Sequence, residues 1–249
     1  ASGMVVPQTL ELPKTESAAM QALEYLVKDG PVTEILPNGF QAVLPAGTEI
    51  IGLNLQEDGT LIVDVSEEFK NYEANEEVKI LQAMTHTLTQ FDSVNKIKLW
   101  INGENLNEMP VNGTPISEGY SKSNGINIYA KDQPSLMHSK VVTVHYPKQY
   151  NDNLYFVPMT QYINDDNEDV FTTIVEALME GPSYEIQALH VFNDNTELLN
   201  KPVLHDGVLQ LEFSQEILKD EKNAVIADDV VETLVRSLTE QEDVEAVDI

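Results

Sequence analysis

The chain has 249 residues and a mass of 27.8 kDa, room for two domains with a core each, and its 42% hydrophobic content excludes general disorder. Its 42 acidic and 14 basic side chains leave a formal charge of −28, which argues against nucleic acid or an anionic membrane surface as ligand. Cysteine is absent, which excludes disulfides, thiolate nucleophiles and cysteine metal sites.

The same acidity would attract a basic partner or divalent cations, or serve solubility alone. No apolar run reaches the roughly 18–20 residues that span a bilayer, and no charged-then-apolar leader opens the chain.

In chain order, the first predicted element is a short helix with Ala19, Ala22, Leu23 and Leu26 on its apolar stripe, stopped by Gly30-Pro31. Asp58-Gly59 is a tight-turn dipeptide, and beyond it Leu61, Val63 and Val65 share one face of a strand while Asp64 takes the other. A longer helix is predicted near 75–91, with Val78, Leu81, Met84, Leu88 and Phe91 inward, then a strand carrying Ile97, Leu99 and Ile101. Trp100, the single tryptophan, alternates to the other side of that strand, where it either covers the following segment or contacts a partner. Residues 104–139 are a connecting segment of loops and turns around Pro110, Gly113, Pro115 and Gly119. Within it, Ile126-Asn127-Ile128-Tyr129 is a candidate strand that would complete the first domain.

Further on, Val141–Tyr146 and Leu154–Val157 read as a hairpin around a polar turn from Lys148 to Asn153. Asp165, Asp166 and Asn167 offer caps to a helix with Phe171, Ile174, Val175 and Leu178 inward, which Gly181-Pro182 stops. Pro202 marks an edge strand, Asp206-Gly207 a second tight turn, and Leu209, Leu211 and Phe213 the apolar face after it. A helix near 223–239 places Ile226, Val230, Leu234 and Leu238 inward, and Val247 and Ile249 open a last strand.

These elements state one pattern twice. Residues 22–31 return at 173–182, 58–66 at 206–214, 87–94 at 237–244, and 5–9 at 156–160, with offsets of 151, 148, 150 and 151. So long a period means a duplicated domain, not a solenoid repeat. The predicted class is α/β of the α+β two-layer kind, with two tandem homologous domains. Each is a small mixed sheet with two helices on one face, the first spanning 1–103 and the second 140–249. The first copy lacks a counterpart of Val141–Tyr146, and Ile249 aligns with mid-strand Leu99, so the natural protein is expected to extend beyond both ends.

The helix ending in Gly30-Pro31, the turn Leu44-Pro45-Ala46-Gly47-Thr48, and the Asp58-Gly59 hairpin into Val63-Asp64-Val65-Ser66-Glu67-Glu68-Phe69 form a signature. With Thr87-Leu88-Thr89-Gln90-Phe91 and Asn102-Gly103, it resembles the GerM domain of sporulation and spore germination proteins. The doubled unit is similar to the tandem-domain lipoproteins of that family. In the second copy Phe192-Asn193-Asp194-Asn195-Thr196 replaces the Leu-Pro-x-Gly-Thr turn, a departure from the pattern. The resemblance implies a unit like the ring-building motifs of secretion systems. It also implies a location outside the cytoplasmic membrane, between mother cell and forespore, behind an upstream lipid anchor.

Reactive chemistry finds little footing. The histidines His86, His138, His145, His190 and His205 have no histidine counterparts in the other copy and no zinc-binding spacing. Gly119-Tyr120-Ser121-Lys122-Ser123 begins like a nucleophile elbow but ends in serine, and reads as a turn. Asp165–Asp169 lacks the glycine and glutamate of a calcium loop and reads as helix capping. Ser66 and Ser214 are shared by both copies, and capping is the expected role.

With no reactive site found, the reading is a non-enzymatic assembly protein without cofactor or metal, and the resemblance implies that it acts through protein partners in a sporulation channel complex. Its structural positions are Gly30, Pro31, Asp58, Gly59, Gly181, Pro182, Asp206 and Gly207, with Trp100 as the candidate partner contact. The isolated chain is expected to be monomeric, because copies of charge −28 repel. The alternative is a module that binds the cell wall or a small ligand.

Overall fold

Alternation at every second residue builds the first sheet. A computed structural model describes residues 3–128, 139–164, 169–183 and 186–249, which fall into two units, Ala1–Gly125 and Ile126–Ile249. In the first, β1 (Ile50–Leu55) pairs antiparallel with β2 (Thr60–Val65), and β2 pairs parallel with β3 (Lys96–Ile101). A parallel pair needs a crossover, and α2 (Glu77–Leu88) supplies it. The short strands β4 (Glu104–Asn105) and β5 (Tyr120–Ser121) both add to β3, so the segment after residue 103 contributes to this sheet. Leu61, Val63, Val65, Ile97, Leu99 and Ile101 point to the core beneath α1 (Ala18–Glu24) and α2, which add Leu23, Ile80, Leu81 and Met84. Each such apolar side chain contributes about 1.5–3 kcal/mol on burial.

The second unit repeats the scheme. β8 (Val203–His205) and β9 (Val208–Gln210) pair antiparallel, and β12 (Ala246–Asp248) lies parallel to β9 after the crossover helix α4 (Asp228–Leu238). This makes a mixed three-stranded sheet. The long strands β6 (Ser139–Tyr150) and β7 (Asn153–Asn164) form a ladder of their own, with α3 (Val170–Glu180) and α4 packed against β6. The fold is thus α/β of the two-layer α+β kind, with two tandem units of small mixed sheet and two helices.

Several boundaries differ from the sequence reading, each for a local reason. The first helix ends at Glu24 rather than at Gly30, because Val27 leaves it to bridge Leu44 and the Lys28 N–H bonds the Leu44 carbonyl. Val78 is 40% exposed, because the stripe of α2 runs through Glu77, Ile80, Leu81 and Met84. The hairpin turn is only Asn151-Asp152, so Lys148 belongs to β6, where it is buried and its Nζ bonds the Ile186 carbonyl at 3.1 Å. The last helix begins at Asp228 rather than near 223. Before it, β10 (Leu218–Asp220) and β11 (Val225–Ile226) close a hairpin through Asp220, whose carboxylate accepts from the Lys222 and Asn223 N–H groups.

The candidate strand at 126 is not one. Ile126 exchanges bonds with Thr160 on β7, its N–H with the hydroxyl and its carbonyl with the backbone N–H, and so belongs to the second unit. Tyr129, His138 and Asp165–Glu168 lie outside the described residues; the cap observed on α3 is Asp169, which accepts from the Phe171 and Thr172 N–H groups.

Candidate functional site

The positions shared by both copies do the same mechanical work. At Asp58-Gly59 and Asp206-Gly207, the glycine carbonyl accepts the N–H of the residue entering the last strand, Asn95 at 2.8 Å in one copy and Glu245 at 2.8 Å in the other. Presenting that carbonyl requires a left-handed glycine, with φ of 79° at Gly59 and 78° at Gly207. Only the second turn is the compact two-residue kind with Asp206 also left-handed, at 49°; the first spreads over Gln56–Gly59.

Ser66 and Ser214 are not helix caps through their side chains. Each hydroxyl oxygen accepts an N–H of the chain entering the sheet, from Glu49 just before β1 at 3.0 Å and from Glu197 just before the Leu198–Phe213 bridge at 3.1 Å. Their hydroxyls also hold Glu68 and Glu216 below the usual carboxylate range. Thr89 and Thr239 close the crossover helices alike, each donating its hydroxyl to the carbonyl four residues back at 2.7 Å.

The Gly-Pro pairs have diverged. Gly181, at φ 84°, terminates α3 with Pro182 behind it, and a Cβ there would lie 2.8 Å from the His190 ring. Gly30 instead precedes a 3-10 turn, Pro31–Glu34, with Pro31 in its first position.

The most elaborate polar cluster is one the sequence reading misses. Glu77 is fully buried at the start of α2, and its carboxylate accepts five bonds. The donors are the Tyr72 hydroxyl (2.8 Å), the N–H groups of Val111 (3.2 Å), Asn112 (2.7 Å) and Thr114 (3.0 Å), and the Thr114 hydroxyl (2.6 Å). Burial pushes the carboxyl pKa up, but bonds from Thr114, Asn112 and Tyr72 outweigh it and hold it below its ordinary value. Burial, then Glu77, pushes the Tyr72 hydroxyl far up. A charged residue on the apolar stripe three before Ile80 is the signal that could have found it.

A second buried group is His145 on β6. Its backbone N–H bonds the Ser237 hydroxyl of α4 at 2.8 Å, and its ring Nε2 lies 3.4 Å from Glu240. His190 bonds the Met179 carbonyl, and exposed His205 sits beside Asp206. Among the described residues no three metal-ligating side chains converge. Trp100 lies half-buried on the sheet side opposite Ile97 and Leu99, between Asp64 on β2 and Asn105 on β4, with Lys96 and Lys98 on the same side of β3.

These duplicated devices coincide with a family profile described as "Germane: Sporulation and spore germination", which matches residues 2–107 and 143–249. The chain belongs to the Germane family. The spore germination protein GerM of Bacillus subtilis (strain 168) is similar, at 47% identity over 250 residues, 100% of this chain and 68% of that protein. The solved tandem GerMN domains of the sporulation protein GerM from Bacillus subtilis superpose with a TM-score of 0.91. That match has 46% identity over 99% of this chain and 86% of the other. The two matched spans carry the two Germane copies, so the glycine, serine and threonine devices lie within the repeated Germane unit. The Glu77 cluster ties the first copy to Val111–Thr114, just past the end of its matched span.

Proposed function

We propose that this Germane protein is a non-enzymatic assembly protein of sporulation. It works outside the cytoplasmic membrane, between mother cell and forespore, where it helps assemble or anchor the channel complex joining the two cells through protein–protein contacts. A lipid anchor upstream of this chain holds it at the membrane. Among the described residues no helix is long and apolar enough to cross a bilayer. The observation that carries the reading is the tandem likeness to the sporulation protein GerM, in which the side chains shared by both copies serve strand entry and helix ends.

The test is retention of envelope proteins from detergent-solubilised sporulating cells on the immobilised chain, with an unrelated acidic protein as control. A reproducible set absent from vegetative cells supports assembly, and identical retention by the control refutes it. A second reading, cell-wall binding, rests on half-buried Trp100, which shares one side of β3 with Lys98. Co-sedimentation with purified peptidoglycan that is lost in Trp100→Ala would favour it.

A further inference from the structure

A strand at the edge of a sheet presents unpaired N–H and C=O groups, and proteins blunt such edges with Pro, Lys, short length or a cover. Almost every edge here is blunted. The outward N–H of His145 on β6 is taken by Ser237, and the Pro147 carbonyl on the same strand by the Leu189 N–H. The Thr160 N–H on β7 is taken by Ile126. β8 is three residues long and preceded by Lys201-Pro202.

Its counterpart in the first copy, β1, has a bulge but neither the Lys and Pro nor the short length that guard β8. It runs six residues without Lys or Pro and pairs only with β2 among the described residues. Ile51 is an extra residue between Ile50 and Gly52, the bulge that turns it outward at 50% exposure, and Leu55 is 46% exposed. The Gln56 N–H bonds the Thr60 carbonyl, which sets the phase of the ladder. Leu53 and Leu55 therefore direct their N–H and C=O groups away from β2.

We propose that β1 is a docking edge completed by a strand from another protein, an extended segment with apolar residues at alternate positions and Lys or Arg at its ends. The charge selects that partner. Between Lys28 and Lys70 the chain holds eight acidic residues and no Lys, Arg or His, so a basic segment is attracted and a second copy of this chain repelled. Backbone bonds to Leu53 and Leu55 supply the affinity, and Ile51 and Leu55 supply apolar contacts.

The inference rests on the assembly reading but is tested separately. The probe is a short synthetic peptide of alternating Val and Thr with Lys pairs at both ends, compared with a twin carrying Glu pairs. With the Lys peptide at ten times its Kd, amide exchange at Leu53 and Leu55 should slow about tenfold. The Glu twin should leave exchange unchanged, and Ile51→Lys and Leu55→Pro should each abolish the effect. Leu55→Pro removes no bond to β2, since that N–H points outward. No slowing with the Lys peptide, equal slowing by both twins, or slowing that survives Ile51→Lys overturns the proposal. If the wild-type chain retains a sporulation-specific set that both variants retain equally, β1 is not the docking edge while the assembly reading stands.

Discussion

Replacing Glu77 by alanine should unlatch residues 109–115 from α2. The side chain accepts five bonds, three of them from backbone N–H groups that have no other place in the fold. A hydrogen bond to a charged group is worth about 1.5–3 kcal/mol, but five on one carboxylate share its desolvation cost, so their sum overstates the loss. The loop also relaxes toward water once released, which recovers part of the penalty. The expected net cost is about 3–4 kcal/mol, comparable to breaking a buried ion pair. For a unit of this size that lowers Tm by roughly 10–15 °C.

Calorimetry on the full chain, with amide exchange at Asn112 and Thr114, reads the effect. The transition of the first unit should fall while that of the second stays in place, and both amides should lose protection. Glu77→Gln should cost about half as much, since its amide nitrogen cannot accept from backbone N–H groups. A loss under about 1 kcal/mol for the alanine variant would refute the latch. The pH dependence has a definite sign. The folded carboxyl titrates below its ordinary value of 4.5, so its stabilisation is complete above that value and is lost as pH falls below it. The Glu77→Gln variant should therefore lose less stability than wild type between neutral pH and pH values below 4.5, as followed by urea melts.

Two further outcomes follow from other contacts and a third from the net charge. Ser237→Ala leaves the buried His145 N–H without its acceptor, so the second unit should lose about 1–3 kcal/mol in denaturant melts, and a neutral substitution would contradict this. Gly181→Ala forces alanine to φ 84° and against the His190 ring, at an expected cost of about 1–3 kcal/mol that His190→Ala should partly relieve. Analytical ultracentrifugation at micromolar concentration in dilute buffer should show a monomer, and a dimer or ring would contradict the charge argument.

Period-two alternation makes the crossover strands legible, because residues such as Leu61, Val63 and Val65 must share a face wherever the strand lies. The Asp-Gly turns are legible for a similar reason, since the turn chemistry sits in the dipeptide itself. Helix ends are less so. Gly30-Pro31 and Gly181-Pro182 are the same local signal, yet only the second caps its helix, because a tertiary bond between Lys28 and Leu44 unwinds the first chain earlier. Lys148 looks like a turn residue by polarity, and a twelve-residue ladder with an acceptor at Ile186 overrides that preference. The role of Glu77 is hinted at locally only by a charge on an apolar stripe, since four of its five bonds come from residues 34–37 away, in a segment without a counterpart in the second copy.

That last contrast bears on how the copies diverged. Both must close the space in front of a crossover helix whose first N–H groups lack partners. The first copy does so with a buried acid on the helix that gathers in the 109–115 loop. The second places Asp228 and Asp229 in the first turn, where their charge complements the positive end of the helix dipole, and inserts the β10–β11 hairpin ahead of it. The sheet edges diverge in the same manner, with β8 guarded by Lys201-Pro202 and β1 left open. Maintaining the scaffold would constrain both copies equally, so it explains the shared turns but not these differences. The open edge and the loop latch both fall in the first unit, which makes that unit the place where contacts beyond the fold itself are to be sought.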